Sequence, residues 1–272
     1  MKKKKIYVYA ISKNEEKFAK RWYESVKSAD GIYVLDTGST DNTVKILKEL
    51  GAKVTTKEIK PWRFDVARNE SLKLVPLDAD ICVCIDIDEV ISPNWREKLE
   101  EILENEKVNH VRYIYNWSHD ENKNPKVSFY YEKIHARKNF KWINPVHEVL
   151  KYTGSNEVWA TTNDIIVDHY PDSSKSRSSY LPLLELSVKE DPYNDRNVHY
   201  LGREYMYYGK LNEAIDTLIY HLSLKSATWK DERAASMRFI ARCYKYLKRY
   251  EEAKKEKNEK KRLIFLKENR IM

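Results

Sequence analysis

Residues 31–51 read GIYVLDTGSTDNTVKILKELG, and this stretch decides the fold. "GIYVLD" is rich in β-branched and aromatic residues, as a strand is. "TGSTDN" carries the small polar residues of a turn and a helix cap. "TVKILKEL" then spaces Val44, Leu47 and Leu50 at helical intervals, and Gly51 supplies the residue on which helices stop. One strand, a tight polar turn and one amphipathic helix make half of a βαβ unit.

The flanking segments repeat the unit. "IYVYAI" (6–11) is a strand, and Ser12 with Glu15 matches the S-x-x-E capping box that opens a helix to about Val26. "AKVTTKEI" (52–59) is a third strand, "VARNESLKLV" (66–75) a third helix and "ICVCID" (81–86) a fourth strand. Ser92-Pro93 caps a helix "NWREKLEEILEN". Alternation of this kind implies an α/β fold with a mostly parallel sheet. From about 109 to 170 the pattern changes. "HVRYIYNW", "VSFYYEKIHA" and "DIIVDHY" read as aromatic strands that extend the sheet in antiparallel fashion.

After "PDSSKSRSS" (171–179) the chain turns helical. "LGREYMYYGKLNEA" (201–214) aligns with "IARCYKYLKRYEEA" (240–253) at an offset of 39 residues, with Arg, two Tyr, Glu and Ala in register. The repeat resembles tetratricopeptide hairpins, whose usual period is about 34. The expected division is an α/β domain over 1–172 and a tetratricopeptide-like helical domain over 173–272.

Composition excludes several classes. With 42% hydrophobic and 12% aromatic residues the chain is not disordered. The net charge of +8 resides at the ends: Lys2–Lys5 supply four charges, and residues 245–272 hold eleven Lys/Arg against five Glu. The body between is slightly acidic, so the basic ends read as solvated faces more readily than as a nucleic-acid surface. The three cysteines read as small core side chains in a reducing compartment. No run approaches the about 20 apolar residues of a membrane span. The apolar run Ile6–Ile11 is short for a signal peptide. The expectation is a soluble, cytoplasmic protein.

The chemistry gathers where strands end. In a doubly wound sheet, ligands bind beyond the carboxyl ends of the strands. The first predicted strand ends at Ile11-Ser12, the second at Asp36, and the fourth at Asp86 and Asp88 within "ICVCIDIDEVI" (81–91). Ionised carboxylates beside an apolar run require compensation. A divalent cation offers it, since hard cations prefer oxygen ligands. Glu89 reads instead as an acidic helix-capping turn. The glycine that an EF-hand loop needs is missing.

"AISKNEE", "IYVLDTGSTDNTVKIL", "FDVARNESL" and "IDIDE" together resemble the inverting family-two nucleotide-sugar glycosyltransferases of the GT-A fold, over residues 6 to about 170. "INPVHEVL", "VDHY" and a helical tail are similar to a subgroup of those enzymes with tetratricopeptide-like repeats. The resemblance implies a UDP-sugar donor (UDP-glucose or UDP-GlcNAc). It also implies an acceptor that is a glycan, a protein or peptide, or a modified nucleic acid. Donor contacts would come from Ile11, Asn14, Glu15, Asp36, Asp65, Arg68, Asp86 and Ile87. Asp88 and His169 would ligate Mn²⁺ or Mg²⁺. Glu148 would be the catalytic base, with His147 beside it. Two other readings stay open: a nucleotidyltransferase, for which "SKNEEKF" lacks the glycine-rich phosphate loop, and an adaptor whose transferase domain is inactive.

Overall fold

The computed structural model describes residues 4–172 and 178–268, with side chains to 259. It divides into two compact units, Met1–Lys175 and Ser176–Met272. The boundary expected at 172/173 adjoins residues 173–177, outside the described residues. No helix among the described residues is long and apolar enough to cross a membrane.

The first unit contains one eight-stranded sheet. Its strands are β1 (Ile6–Ser12), β2 (Gly31–Asp36), β3 (Lys53–Thr56), β4 (Ile81–Cys84), β5 (Glu89–Ile91), β6 (His110–His119), β7 (Pro125–Ala136) and β10 (Trp159–His169), in the spatial order β3-β2-β1-β4-β7-β6-β10-β5. A separate antiparallel pair joins β8 (Phe140–Ile143) to β9 (Val149–Tyr152). The helices are α1 (Glu16–Val26), α2 (Thr43–Leu50), α3 (Phe64–Leu74) and α4 (Trp95–Ile102).

The first four sheet neighbours pair in parallel, as the βαβ pattern requires. The extension is mixed rather than antiparallel throughout. β7 runs antiparallel to β4 and β6, but β10 runs parallel to β6 and antiparallel to β5. A parallel neighbour needs a crossover, and the β8–β9 segment lies in the connection that allows it.

Strand alternation sorts the core into two faces. Ile6, Val8 and Ala10 of β1 join Val83 and Ile85 in packing against Trp22 and Leu47. Tyr9 of the opposite face joins Cys82, Cys84, Leu72 and Trp142. Both cysteines are free and fully buried there, as small core side chains. Gly51 closes α2 in the left-handed region (φ 109°), and its amide donates to Lys48 O. Two expected caps do not form. Ser12 stays in β1 and its hydroxyl donates to Asp36, while the N-cap of α1 is Glu15, which makes no side-chain cap bond. The α4 N-cap is Asn94, held at φ 59°, again without a side-chain cap.

On the Tyr9 face, Trp142 Nε1–H donates to Tyr9 Oη (2.9 Å), Tyr9 Oη–H donates to His135 Nε2 (2.8 Å), and His135 Nδ1–H donates to Ala136 O (2.8 Å). The Trp142 Nε1, Tyr9 Oη and both His135 ring nitrogens are thus all bonded, and His135 is wholly buried. Burial pushes the His135 imidazole down to about 3. The unfolded chain therefore binds a proton below pH 6.5 that the folded chain refuses until about pH 3. Stability contributed here is complete above pH 6.5 and falls by about 1.4 kcal/mol per pH unit below it. We expect wild type to lose more stability than His135→Asn between pH 6.5 and 4.5 in urea unfolding. Equal losses in the two proteins would contradict this account.

In the second unit, α5 (Tyr180–Glu190) precedes α6 (Asp195–Tyr207), α7 (Leu211–Ser223), α8 (Lys230–Tyr246) and α9 (Tyr250–Glu268). The 39-residue offset carries the α6–α7 turn onto the α8–α9 turn. Gly209 (φ 74°) and Lys248 (φ 59°), the left-handed residues of the two turns, coincide under it. The two helical hairpins are thus repeats of one unit. Tyr205 and Tyr244 pack into the hairpin core, whereas Tyr207 and Tyr246 are exposed.

Candidate active site

Because β1, β2 and β4 run parallel, their carboxyl ends share one edge of the sheet. Ser12, Asp36 and the Asp86–Asp88 turn meet there, as expected. Asp36 is fully buried. Its Oδ1 accepts from the amides of Gly38 (3.1 Å) and Ser39 (3.0 Å), and its Oδ2 accepts from the Ser12 hydroxyl (3.0 Å) and from that of Ser39. Asp36 thus shapes the "DTGS" loop. Asn14, at φ 54°, fastens the β1–α1 loop to it: its amide donates to Ser39 Oγ and its side-chain oxygen accepts from Thr40 N, both at 2.8 Å. The buried Glu15 lies beside this junction, its amide donating to Thr43 Oγ1 (2.7 Å). Ile11 packs its side chain against the Leu35–Ile59–Ala67 cluster.

Arg68, buried on α3, is the hub. Its guanidinium is bidentate to Asp86, one bond being 2.9 Å, and its Nε donates to Glu148 Oε1 (2.9 Å). It therefore joins α3, the turn after β4 and the segment before β9. Asp65, at the start of α3, is held by a bidentate bond from Arg63 (3.0 and 2.9 Å). His147 adopts φ 52°, a left-handed backbone that places Glu148 at the head of β9.

The compensation of the carboxylates differs from the expectation. Lys133, which no sequence motif marks, donates to both oxygens of Glu89 (2.7 and 2.8 Å) and to Asp86 Oδ2 (3.1 Å). Burial alone would lower the Lys133 ammonium, but Asp86 and Glu89 outweigh it and hold it well above its ordinary value. Burial alone would raise Asp86, but Arg68 and Lys133 hold it well below the carboxylate range. Burial raises the Glu89 carboxyl, against the pull of Lys133. Glu89 is no exposed helix cap. It opens β5, is buried, and accepts as well from Tyr115 Oη (2.9 Å) and Asp86 N (2.8 Å). Strand alternation gave no signal for Lys133: the β6–β7 register slips between Val111↔Ile134 and Tyr113↔Tyr131, and this irregularity buries Lys133, Ile134 and His135 in succession. Ile87 lies in the turn between Asp86 and Asp88. Its side chain belongs to the apolar core, leaving only its backbone for a ligand.

Asp88 is the carboxylate that neither cation takes. Antiparallel pairing of β10 with β5 sets His169 opposite Glu89, and Tyr170 N donates to Asp88 O (2.8 Å). His169 Nε2 then stands 3.4 Å from Asp88 Oδ2. Its Nδ1–H donates to Trp117 O (3.1 Å), which turns Nε2 toward the carboxylate. Two donors about 2.1 Å from one cation lie roughly 3–3.4 Å apart. The spacing of the pair therefore fits two ligands of one divalent ion, which would take further oxygen donors from outside the pair.

The fold and this cluster describe an α/β protein that gathers carboxylates, an arginine and a histidine at the carboxyl edge of a parallel sheet. Residues 7–152, more than half of the chain, match the family model described as Glycosyl transferase family 2, and the chain belongs to that family. An uncharacterized glycosyltransferase of Rickettsia typhi is 38% identical over 112 residues, covering 41% of this chain and 36% of the relative. The match thus spans about a third of the curated relatives' length. Staphylococcus aureus TarS 1–349, solved in complex with UDP-GlcNAc, superposes with a TM-score of 0.50 at 12% identity, covering 88% of this chain and 82% of that one. It shares the GT-A-like fold. Glucosyl-3-phosphoglycerate synthase from Mycobacterium tuberculosis, solved with Mn²⁺ and UDP-glucose, aligns at 26% identity over 41% of this chain and 44% of that chain, with a TM-score of 0.36.

Proposed function

We propose that the chain transfers a hexose from a UDP-sugar to an acceptor nucleophile with inversion, assisted by Mn²⁺ or Mg²⁺ held by Asp88 and His169. The observation that carries this reading is the Asp88–His169 pair, spaced as two ligands of one ion and left outside the Arg68–Lys133 network. When bound, the ion offsets the charge that develops on the leaving diphosphate. The chain's residues do the rest. Asp36, Asn14, Glu15 and Asp65 frame the nucleoside pocket, where Ser12 and Ser39 hydroxyls would yield Asp36 to a ribose or base. Arg68 and Asp86 line its floor. Glu148 accepts the acceptor's proton through Oε2, because Arg68 already holds Oε1. His147 sets the backbone of that base.

The tetratricopeptide-like unit, Ser176–Met272, would select the acceptor. Stacked hairpins form concave surfaces, and the exposed Tyr207 and Tyr246 recur at equivalent positions in the two repeats.

The test incubates the protein with Mn²⁺ or Mg²⁺ and a panel of nucleotide sugars, with UDP-glucose and UDP-GlcNAc among them, and measures released nucleoside diphosphate. Release from a UDP-sugar that stops with EDTA is the expected result. Release of pyrophosphate from a nucleoside triphosphate instead would favour a nucleotidyltransferase. Glu148→Gln keeps the shape of the side chain but accepts no proton. It is expected to bind donor normally and to lose about 10²- to 10⁴-fold in transfer. Transfer at the wild-type rate would remove Glu148 from the role.

A further inference from the structure

The helical unit holds a second group of metal-type donors that the proposed transfer does not use. Asp195 opens α6, His221 lies in the last turn of α7, and Glu232 lies in the first turn of α8. One ligand atom from each stands within 4.8 Å of the other two. His221 and Glu232 are buried, and Asp195 is half-buried at the rim. Three helices thus deliver an imidazole and two carboxylates to one point.

An independent observation directs the cluster toward a cation. His221 is completely buried, and its Nε2 makes no hydrogen bond. That atom stands 3.4 Å from Glu232 Oε1, beyond the range of a well-formed N–H···O bond. For two donors about 2.1 Å from a tetrahedral ion, a separation of about 3.4 Å is the expected one. The other face of the ring is fixed. Ser236 Oγ lies 2.9 Å from His221 Nδ1 and 2.7 Å from His199 Nδ1. A hydroxyl has one proton to give. If Ser236 gives it to His199, His221 must donate its own Nδ1–H to Ser236, and Nε2 carries a lone pair toward Glu232. An outer partner that fixes the tautomer in this way is the usual support of a metal-bound histidine. Arg196 adds a favourable charge at Glu232, but its guanidinium lies over the Tyr200 ring (5.2 Å).

We propose that Asp195, His221 and Glu232 bind one divalent transition-metal ion of the zinc type, tying together the adjoining ends of α6, α7 and α8. An imidazole with two carboxylates suits zinc and its first-row neighbours over magnesium or calcium. Three protein donors leave a fourth position to water.

The test uses the full chain carrying Asp88→Ala, which removes the cation proposed for the transfer site, so the outcome is independent of that reading. Zn²⁺ is titrated by calorimetry, and Co²⁺ by its visible absorption. We expect one equivalent bound, with tetrahedral Co²⁺ bands and a raised unfolding temperature. Adding His221→Gln should weaken Zn²⁺ binding at least about a hundredfold, and adding the rim substitution Asp195→Asn about tenfold or more. Should His221→Gln fail to fold, Asp195→Asn carries the test alone. Absence of stoichiometric uptake would overturn the site. So would uptake that neither substitution weakens, and the relay would then run the other way, with Nε2–H facing Glu232.

Discussion

Lys133→Met is expected to destabilise the α/β unit by about 3–5 kcal/mol, the cost typical of removing one partner from a buried ion pair. Lys133 and Glu89 are each about 97–98% shielded at the side chain, and Lys133 also reaches Asp86. Methionine fills much of the volume and leaves two carboxylates with only the Tyr115 hydroxyl, one backbone amide and Arg68 as donors. Arg68 already serves Asp86 and Glu148, so it cannot turn to Glu89. The expected companion result is partial rescue: Glu89→Leu added to Lys133→Met should recover most of the loss, because replacing a buried pair with apolar groups is often neutral. Urea midpoints of wild type, single and double variants measure both effects. A single variant within about 1 kcal/mol of wild type would show that the Lys133–Glu89 pair contributes no net stability.

The same residues show how much the sequence disclosed. The βαβ half was legible because periodicity, turn chemistry and Gly51 agree within each unit. Its parallel strands in turn placed Asp36, Asp86 and Asp88 on one edge. What compensates the carboxylates was not legible. Lys133 lies 44 residues beyond Glu89 on a strand whose pairing with β4 no local pattern specifies, and a lone lysine in an aromatic strand reads as surface. The Ser12–Glu15 box illustrates the opposite failure. The motif was present, but Asp36 on the adjacent parallel strand competed for the Ser12 hydroxyl and won. Tertiary hydrogen bonding overrode local capping chemistry. In the helical unit the 39-residue repeat was visible, yet His221 and Glu232 carried no motif. Their meeting depends on α7 and α8 packing side by side, which spacing alone does not give.

Asp88→Ala is expected to lower metal-dependent donor turnover by about a thousandfold, on the order of 4 kcal/mol of transition-state stabilisation, with the fold intact. The contrast with Asp86 explains why. Asp86 is bound to Arg68 and Lys133, so its removal disturbs a buried network and stability together with activity. Among the described residues, the Asp88 carboxylate has one ion-pair contact, His169 at 3.4 Å, and its side chain remains about a quarter exposed. Alanine there should change stability by about 1 kcal/mol, because the 3.4 Å contact is too long for a well-formed hydrogen bond. His169 loses its partner but keeps its bond to Trp117 O, so the imidazole stays in place. The variant should therefore bind UDP in the absence of metal as wild type does, and lose the increment in affinity that Mn²⁺ adds. Calorimetric titration of UDP with and without Mn²⁺ separates these terms, and thermal unfolding checks the fold. A variant whose turnover still responds to Mn²⁺ as wild type does would move the cation away from Asp88. Loss of UDP binding without metal would instead make Asp88 a direct nucleotide contact.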